Sequence, residues 1–462
     1  MPDLLELNVN RRRLKPGVVL LAAVLLLILL FLAALAVGWL LAKQRVRAEI
    51  ERIRAAGEPV SPEDLEAFYF RPPADRDATQ LWLDAIEPFA GPQFVAAKKD
   101  IPIVGETAEE LPSAGEPWPR QPAVESFLAE YGESLELMHR AAQLGGAARY
   151  PIAFADGYQM TLDHLQRLRE GARLLLLESE IAARHGDAPA AADAIQAMFA
   201  AAHSLKNEPT LVSQLVRLAL DGMARDQLQR RLSDSHFTDD RLAAIDRQLA
   251  MCDYEAAFHR AMLATRVESF TFFSDPASLG TQAPSAASAV FRPGDQAVYL
   301  RLMRKLIEAF QIGSDLSGSM SDVEREVAEL GRTPLAHLRC PLSLLALPAM
   351  QPCADALNRG AAYRDSARVA VAVERFRLRH AEPPKTLDAL IPEFLPEVPL
   401  DPFDGQPLRY RLDAGEYAVY SLGADLIDQG GQADDSPQPG MPPDLVFRVP
   451  LEQPRANEGE QP

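Results

Sequence analysis

The sequence predicts a mainly α protein with a small antiparallel sheet at its C-terminal end, and three stretches carry that prediction. Residues 18–41 form an apolar run of 24 residues without a charge. From residue 123 the apolar positions recur at helical spacing for about 150 residues. Residues 408–422 switch to a period of two around a turn, as a hairpin requires.

The apolar run reads as a single transmembrane helix. At a rise of about 1.5 Å per residue it reaches roughly 36 Å, enough to cross a hydrocarbon core with some tilt. It exceeds the apolar core of a signal peptide, about 7–15 residues. Ala34-Leu35-Ala36 is like a small-residue cleavage site, but residues 37–41 stay apolar beyond it. Arg11-Arg12-Arg13 is faintly like a twin-arginine signal; the preferred reading is a basic flank on a cytoplasmic tail, residues 1–17. Charge counting does not fix orientation, because Arg11, Arg12, Arg13 and Lys15 precede the run and Lys43, Arg45, Arg47, Arg52 and Arg54 follow it. A short tail and one anchor suit a single-pass protein of a cell inner membrane, N-in and C-out, with the bulk of the chain extracytoplasmic.

The chain has 462 residues and a net charge of −18. No basic face follows residue 60, so nucleic acid is not an expected partner: phosphate contacts need clustered Lys and Arg. The acidity reads as a solubility feature. The three cysteines, Cys252, Cys340 and Cys353, make no metal pattern. In an extracytoplasmic compartment Cys340 and Cys353 are placed to bridge the Pro-bounded segment between them; unpaired small core residues are the alternative, and Cys252 reads as buried and inert.

In chain order, residues 42–57 continue the membrane helix outward as a charged juxtamembrane helix. Ser61-Pro62-Glu63-Asp64 starts the next helix with a Ser cap, Pro at the first position and acids in the first turn. Residues 78–87 read as another helix. Residues 88–122 hold seven prolines and read as a loop, with residues 101–105 as a short extended piece. Residues 124–144 read as one helix. Residues 158–184 give the clearest periodicity, with Leu162, Leu165, Leu168, Ala172, Leu175, Leu176 and Ser179 on one stripe. His185-Gly186-Asp187 stops it, and residues 189–205 form an alanine-rich helix. Residues 210–232 and 238–273 read as two more. A loop at 274–294 precedes helices at 295–312, 322–330 and 335–347, which closes a helical domain over residues 58–350.

Residues 354–450 change character. A helix over 361–379 places Val369, Val373 and Phe376 on one side. Pro383-Pro384 ends it. Strands follow at 408–412 and 417–422, joined at Asp413-Ala414-Gly415, with a third strand at 444–449. Residues 451–462 read as a disordered polar tail.

Residues 171–205, a helix, a Gly-Asp turn and an alanine-rich helix, loosely resemble a tetratricopeptide hairpin, so the helical domain is expected to stack hairpins. No second copy appears at a 34-residue period. The C-terminal order is more specific. Pro384-Lys385-Thr386-Leu387-Asp388-Ala389-Leu390 precedes Asp401-Pro402-Phe403-Asp404-Gly405-Gln406-Pro407-Leu408-Arg409-Tyr410. Then come Tyr420-Ser421-Leu422-Gly423-Ala424-Asp425 and Gly430-Gly431. Over about 70 of 462 residues this resembles the C-terminal domain of the major pseudopilins of type II secretion. The resemblance implies a small α+β module over 354–450 whose loop binds calcium through carboxylates and backbone oxygens. The family's Asp falls on Asp425, and Asp434 and Asp435 stand where later acids of that loop lie; such oxygens suit a hard cation. The departures are that Leu426 stands where the family has Gly, and that the loop spacing is altered. There is also no prepilin cleavage motif, and about 300 residues separate anchor and module. The chain is therefore not read as a pseudopilin. Its whole layout is similar to membrane-anchored helical proteins of planctomycete-type bacteria, a resemblance that implies no activity.

No catalytic signature stands out. The eight histidines are scattered, the closest pair, His185 and His203, being 18 apart. There is no His-x-x-x-His zinc helix, Walker loop, dinucleotide fingerprint or Gly-x-Ser-x-Gly elbow. Glu178 and Glu180 are two apart and do not share a helix face. The expected function is a non-catalytic, membrane-anchored envelope protein, an interaction or scaffold component related to secretion or pilus-like assembly, with protein partners in the envelope and no cofactor beyond the calcium considered above. The alternatives are an anchored hydrolase with its site in residues 88–122 or 274–294, and a ligand sensor.

Overall fold

The computed structural model describes residues 16–105, 111–112, 116–234, 236–282, 284–311, 316–432 and 444–451. Its first element, α1 (Pro16–Ala55), is one unbroken helix of 40 residues. Its two halves differ in environment. The apolar part from Val18 to Leu41 is largely exposed, with Leu20 at 67% and Phe31 at 64%. In the second half Ala42, Val46 and Ile53 are buried against the body of the protein. The helix is long and apolar enough to cross a membrane.

The chain then forms α2 (Pro62–Phe68), α3 (Thr79–Ile86), α4 (Pro92–Ala97), α5 (Gln121–Glu130), α6 (Gly132–Gln143), α7 (Asp163–Arg184), α8 (Ala188–Ser204), α9 (Leu211–Asp234) and α10 (Asp239–Ala250). It continues through α11 (Tyr254–Ser274), α12 (Arg292–Ala309), α13 (Leu316–Gly331), α14 (Pro334–Arg339), α15 (Pro341–Ala346) and α16 (Gln351–His380). Strands β1 (Arg409–Leu412), β2 (Glu416–Ser421) and β3 (Leu445–Pro450) form an antiparallel sheet in the order β1-β2-β3. The protein is mainly helical, as the sequence predicts.

Local signals explain many boundaries. Ser61 accepts the Asp64 N–H at 3.2 Å while the Asp64 carboxylate accepts the Val60 N–H at 3.0 Å, so both ends of the first turn of α2 are satisfied. Gly186, at φ 74°, ends α7, and Asp187 caps α8 by accepting the Ala190 N–H at 3.0 Å. The hairpin α7–α8 then buries the alanine-rich face of α8, including Ala191, Ala194, Ile195 and Met198.

Several expectations need correction. The Pro-rich stretch 88–122 is not all loop: Pro92 sits at the start of α4, where a missing N–H costs nothing. Residues 101–105 are a turn rather than an extended piece, with Ile103 at φ 69° and the Gly105 N–H donating to the Ile101 carbonyl at 2.8 Å. The helix predicted over 124–144 breaks at Tyr131, whose ring packs on Phe89, Phe94 and Phe127, and Gly132 follows it. The helix predicted over 238–273 is two helices. Asp253 caps the second by accepting the Ala256 N–H at 3.1 Å. The segment predicted as one helix over 335–347 splits into α14 and α15, each opened by a proline.

The helix predicted from residue 361 begins ten residues earlier, and the extension matters. The early part of α16 (Cys353, Leu357, Ala361) packs with Val46 of α1 and with α11, α12 and α13. Its later part (Val369, Val371, Val373) packs with α9 and α10 and with Tyr417, Val419, Phe447 and Val449 of the sheet. One helix therefore runs through both major cores and ties the helical region to the C-terminal sheet. Within that sheet Tyr417 pairs with Leu412 on one side and Val449 on the other, and its hydroxyl donates to the Glu374 carboxylate of α16 at 2.9 Å.

Candidate functional site

Three places gather chemistry. The first is the junction of anchor and body. The Arg304 guanidinium of α12 donates to Glu49 of α1 at 3.0 Å and to Glu308 at 3.2 Å. The Lys43 ammonium lies 3.9 Å from the centroid of the Trp39 ring, where the apolar run gives way to charge. A cavity of about 360 Å³ lies between Gly38 and Ala42 of α1 and Phe291, Val298 and Cys340.

The second is the C-terminal acidic loop. Asp425 ends a short 3-10 turn, and its carboxylate accepts the Ile427 N–H at 3.1 Å and the Gln429 side-chain amide at 2.9 Å. Asp434 and Asp435 lie outside the described residues. Asp444, which sequence reasoning did not single out, accepts the Gln429 N–H at 3.1 Å and the Gly431 N–H at 2.8 Å through one oxygen. Its other oxygen, Oδ1, is buried with no hydrogen-bond partner among the described residues. Burial raises the Asp444 carboxyl, and Asp428 and Asp425 raise it further. Among the described residues no three His, Cys, Asp or Glu side chains are gathered as a metal cluster.

The motif residue Asp401 does different work. It is fully buried and accepts from Arg409 Nη1 at 2.7 Å, Ser421 Oγ at 2.8 Å, and the N–H groups of Phe403 and Leu422 at 3.0 Å. It joins the Asp-Pro-Phe segment to the Tyr-Ser-Leu-Gly segment, two stretches far apart in the chain.

The third is a cavity of about 400 Å³ between α9, α11, α12 and α15. Leu211, Phe272, Leu279, Leu342, Leu345 and Met350 make its wall apolar. Asp295 of α12 fixes the α15 side by accepting the Leu342 N–H at 2.9 Å and the Ser343 N–H at 3.1 Å. Gly157 forms part of the wall in the left-handed region at φ 53°, where an added Cβ would meet the Thr271 hydroxyl at 2.9 Å. Val212 and Leu345 stand exposed at the mouth, at 57% and 42%.

One carboxylate, Glu268 of α11, lies in this wall. Thr265 and Phe272, one turn to either side, share its face. The Thr265 hydroxyl is committed to the Ala261 carbonyl at 2.9 Å, and Thr210 is bonded to Ser213 at 2.6 Å. Arg266 points elsewhere, to Glu58 at 2.7 Å. Glu268 has no hydrogen bond or ion pair among the described residues, and burial alone pushes its carboxyl up to about 7.

Comparisons with protein-family models, curated proteins and solved structures find no match.

The remaining candidate residues have bland surroundings. Cys340 is half-buried and Cys353 buried, and both are free thiols. Burial pushes Cys340 up to about 11 and also raises Cys353, so neither is poised as a nucleophile. Cys252 is a buried thiol pushed up to about 12. His164 and Glu208 pair at 2.7 Å beneath the stacked ring of Tyr150, and neither side chain is more than 7% exposed.

Glu268 was hidden in the sequence because its neighbours come from residues 157 to 350, and only the folded chain assembles them. The available signal was a charge on an otherwise apolar helical face, with Phe270, Phe272 and Phe273 close by.

Proposed function

We propose that this chain is a single-pass, membrane-anchored envelope protein whose helical body serves as a non-catalytic interaction or scaffold component, N-in and C-out in the inner membrane and related to secretion or pilus-like assembly. The observation that supports it is α1. The exposed apolar half continues without a break into a half that docks on the body, burying Val46 and Ile53 and pairing Glu49 with Arg304 of α12. Such an anchor holds the body at a fixed attitude to the bilayer instead of trailing it on a linker. The test is protease accessibility of a C-terminal tag on the full chain, in cells with a permeabilised outer membrane. Digestion while the inner membrane is intact is the expected result; protection until lysis overturns the extracytoplasmic placement. The interaction role is tested by purifying the full chain from envelope extract in several detergents. The same proteins should accompany it each time; recovery of none overturns that role.

The C-terminal loop is part of this proposal as a calcium site. Asp425 and the partnerless oxygen of Asp444 are the described groups that suit a hard cation.

A second reading, a ligand-sensing anchored protein, is favoured by α12. This helix contributes Tyr299 to the apolar cavity and Arg304 to the anchor junction, so one element touches both places.

A further inference from the structure

We infer that the cavity between α9, α11, α12 and α15 binds a small amphiphile with an apolar body and a single ammonium head, the head pairing with Glu268. This deepens the ligand-sensing reading and rests on the same cavity.

Carboxylates elsewhere in the protein interior give the comparison; Glu268 itself is half-buried at the cavity wall. Glu180 meets Arg184 at 2.9 Å and Arg231 at 3.2 Å, Glu208 meets His164 at 2.7 Å, and Asp401 meets Arg409 at 2.7 Å. Glu180 and Asp401 are thus each balanced by arginine, while the buried Asp295 is held instead by the Leu342 and Ser343 N–H groups and the Ser343 hydroxyl. Glu268 has neither kind of partner among the described residues. It lies in an apolar wall, burial raises its carboxyl, and no cation among the described residues pairs with it. The space in front of it is of the size that takes a small molecule, about 300–1,000 Å³. The missing partner is therefore a cation that arrives with the ligand, on a body that satisfies the apolar remainder.

The same geometry excludes the opposite amphiphile. A fatty carboxylate would bring a second anion beside Glu268 with no cation to hold it. An alcohol fills the apolar volume but leaves the ionised Glu268 without a counter-charge. Among the described residues, the ionisable groups on the cavity wall are Glu268 of α11 and Tyr299 of α12. Burial holds Tyr299 as a neutral phenol. The lining residues from α9, α15 and the 3-10 segments carry no charge, and the nearby Arg266 is committed to Glu58. Ammonium binding therefore favours the ionised carboxylate and displaces a proton where Glu268 is otherwise protonated. Affinity for the amine rises with pH across the titration of Glu268, while affinity for an alcohol of equal length does not.

The test is calorimetric titration of the full chain in nanodiscs of zwitterionic lipid, with empty nanodiscs as the blank. The probes are n-heptylamine, n-heptanol and heptanoate, at about pH 6 and about pH 8, either side of the Glu268 titration. The expected result is that heptylamine binds about tenfold more tightly than heptanol at the higher pH, in line with a charge-assisted pair, and that the preference shrinks at the lower pH. Heptanoate should bind least. Glu268→Gln should abolish the amine preference and keep heptanol binding. Leu345→Trp, which fills the mouth, should abolish both. Equal binding of amine and alcohol at both pH values, tightest binding by heptanoate, or no binding by any probe overturns the proposal. If Glu268→Gln fails to fold, the pH dependence of the unaltered chain still decides. None of these outcomes depends on orientation in the membrane or on a protein partner, so failure here leaves the anchor reading standing and marks the ligand reading as wrong.

Discussion

Arg304 of α12 meets Glu49 of α1 at 3.0 Å, on the same stretch of α1 that buries Val46 and Ile53. The ion pair is partly exposed and contributes less than about 1 kcal/mol, so the apolar contacts carry the docking. The juxtamembrane half of α1 is consequently part of the folded body. A soluble chain beginning at residue 43 should fold more stably than one beginning at residue 58. Burying Val and Ile is worth about 1.5–3 kcal/mol each, so the shorter chain loses roughly 3–6 kcal/mol. Circular-dichroism melting should place it at least about 5 °C lower. Equal melting temperatures would mean that the docked half contributes nothing.

The unpaired Glu268 makes a signed prediction about pH. Its folded value is raised to about 7 from the ordinary glutamate value, so the folded protein holds a proton that the unfolded chain releases. Stability from this group is therefore highest below the unfolded value and falls as pH rises from about 4.5 through about 7. Glu268→Gln removes that loss. At about pH 8 the variant should be more stable than the parent by about 1–3 kcal/mol, while near about pH 4 the two should coincide. Urea unfolding at the two pH values measures the difference, and a variant less stable at the higher pH would contradict it.

His203 titrates in the opposite sense. Burial first, then Arg217 and Lys206, lower its imidazole to about 4. The folded state keeps it neutral where the unfolded chain binds a proton, so its contribution is intact above about 6.5 and is lost as pH falls toward 4. His203→Gln should flatten the acid side of the stability profile without changing it at about pH 8. An unchanged acid slope in urea titrations would show that His203 is not the group responsible.

Asp401 holds the C-terminal module together by four hydrogen bonds, one of them charge-assisted from Arg409. Asp401→Ala strands the Arg409 head beside Asp404 and leaves the Ser421 hydroxyl and the Leu422 N–H without their acceptor. Removing one partner of such a buried network costs about 3–5 kcal/mol. Hydrogen exchange of the β2 amides should accelerate in the variant while that of the α7 and α8 amides stays slow. Uniform acceleration in all three elements would show that the module does not open separately.

The elements that were legible in the sequence are those with local chemistry. The Ser61 cap, the Gly186-Asp187 stop and start, and the hairpin around residues 413–415 need only neighbours in the chain. The missed boundaries are tertiary. Tyr131 breaks a helix because Phe89 and Phe94 wait for its ring, and α16 extends to Gln351 because Cys353 and Leu357 find a core built from α1, α11 and α12. The two polar features that now carry functional weight are of the same kind. Glu268 is conspicuous only against walls from distant segments, and Asp444 only once it folds back on Gln429 and Gly431.

Asp444 also sharpens the calcium question. Burial raises the Asp444 carboxyl, Asp428 and Asp425 add to it, and one buried oxygen of Asp444 has no donor among the described residues. A bound divalent cation would relieve both costs, since it supplies the missing charge and takes up the idle oxygen. Because such an ion binds the folded chain, millimolar calcium should raise the melting temperature of the full chain, by about 2.7 kcal/mol of stability at a hundredfold excess over Kd. Asp444→Asn should weaken the response, and Asp425→Asn should do the same. The sign of the calcium-free effect separates a cation site from plain repulsion. If Asp444 is merely a strained carboxylate, Asp444→Asn stabilises the calcium-free protein and calcium shifts nothing in either chain. If it is a ligand, the parent gains from calcium what the variant cannot.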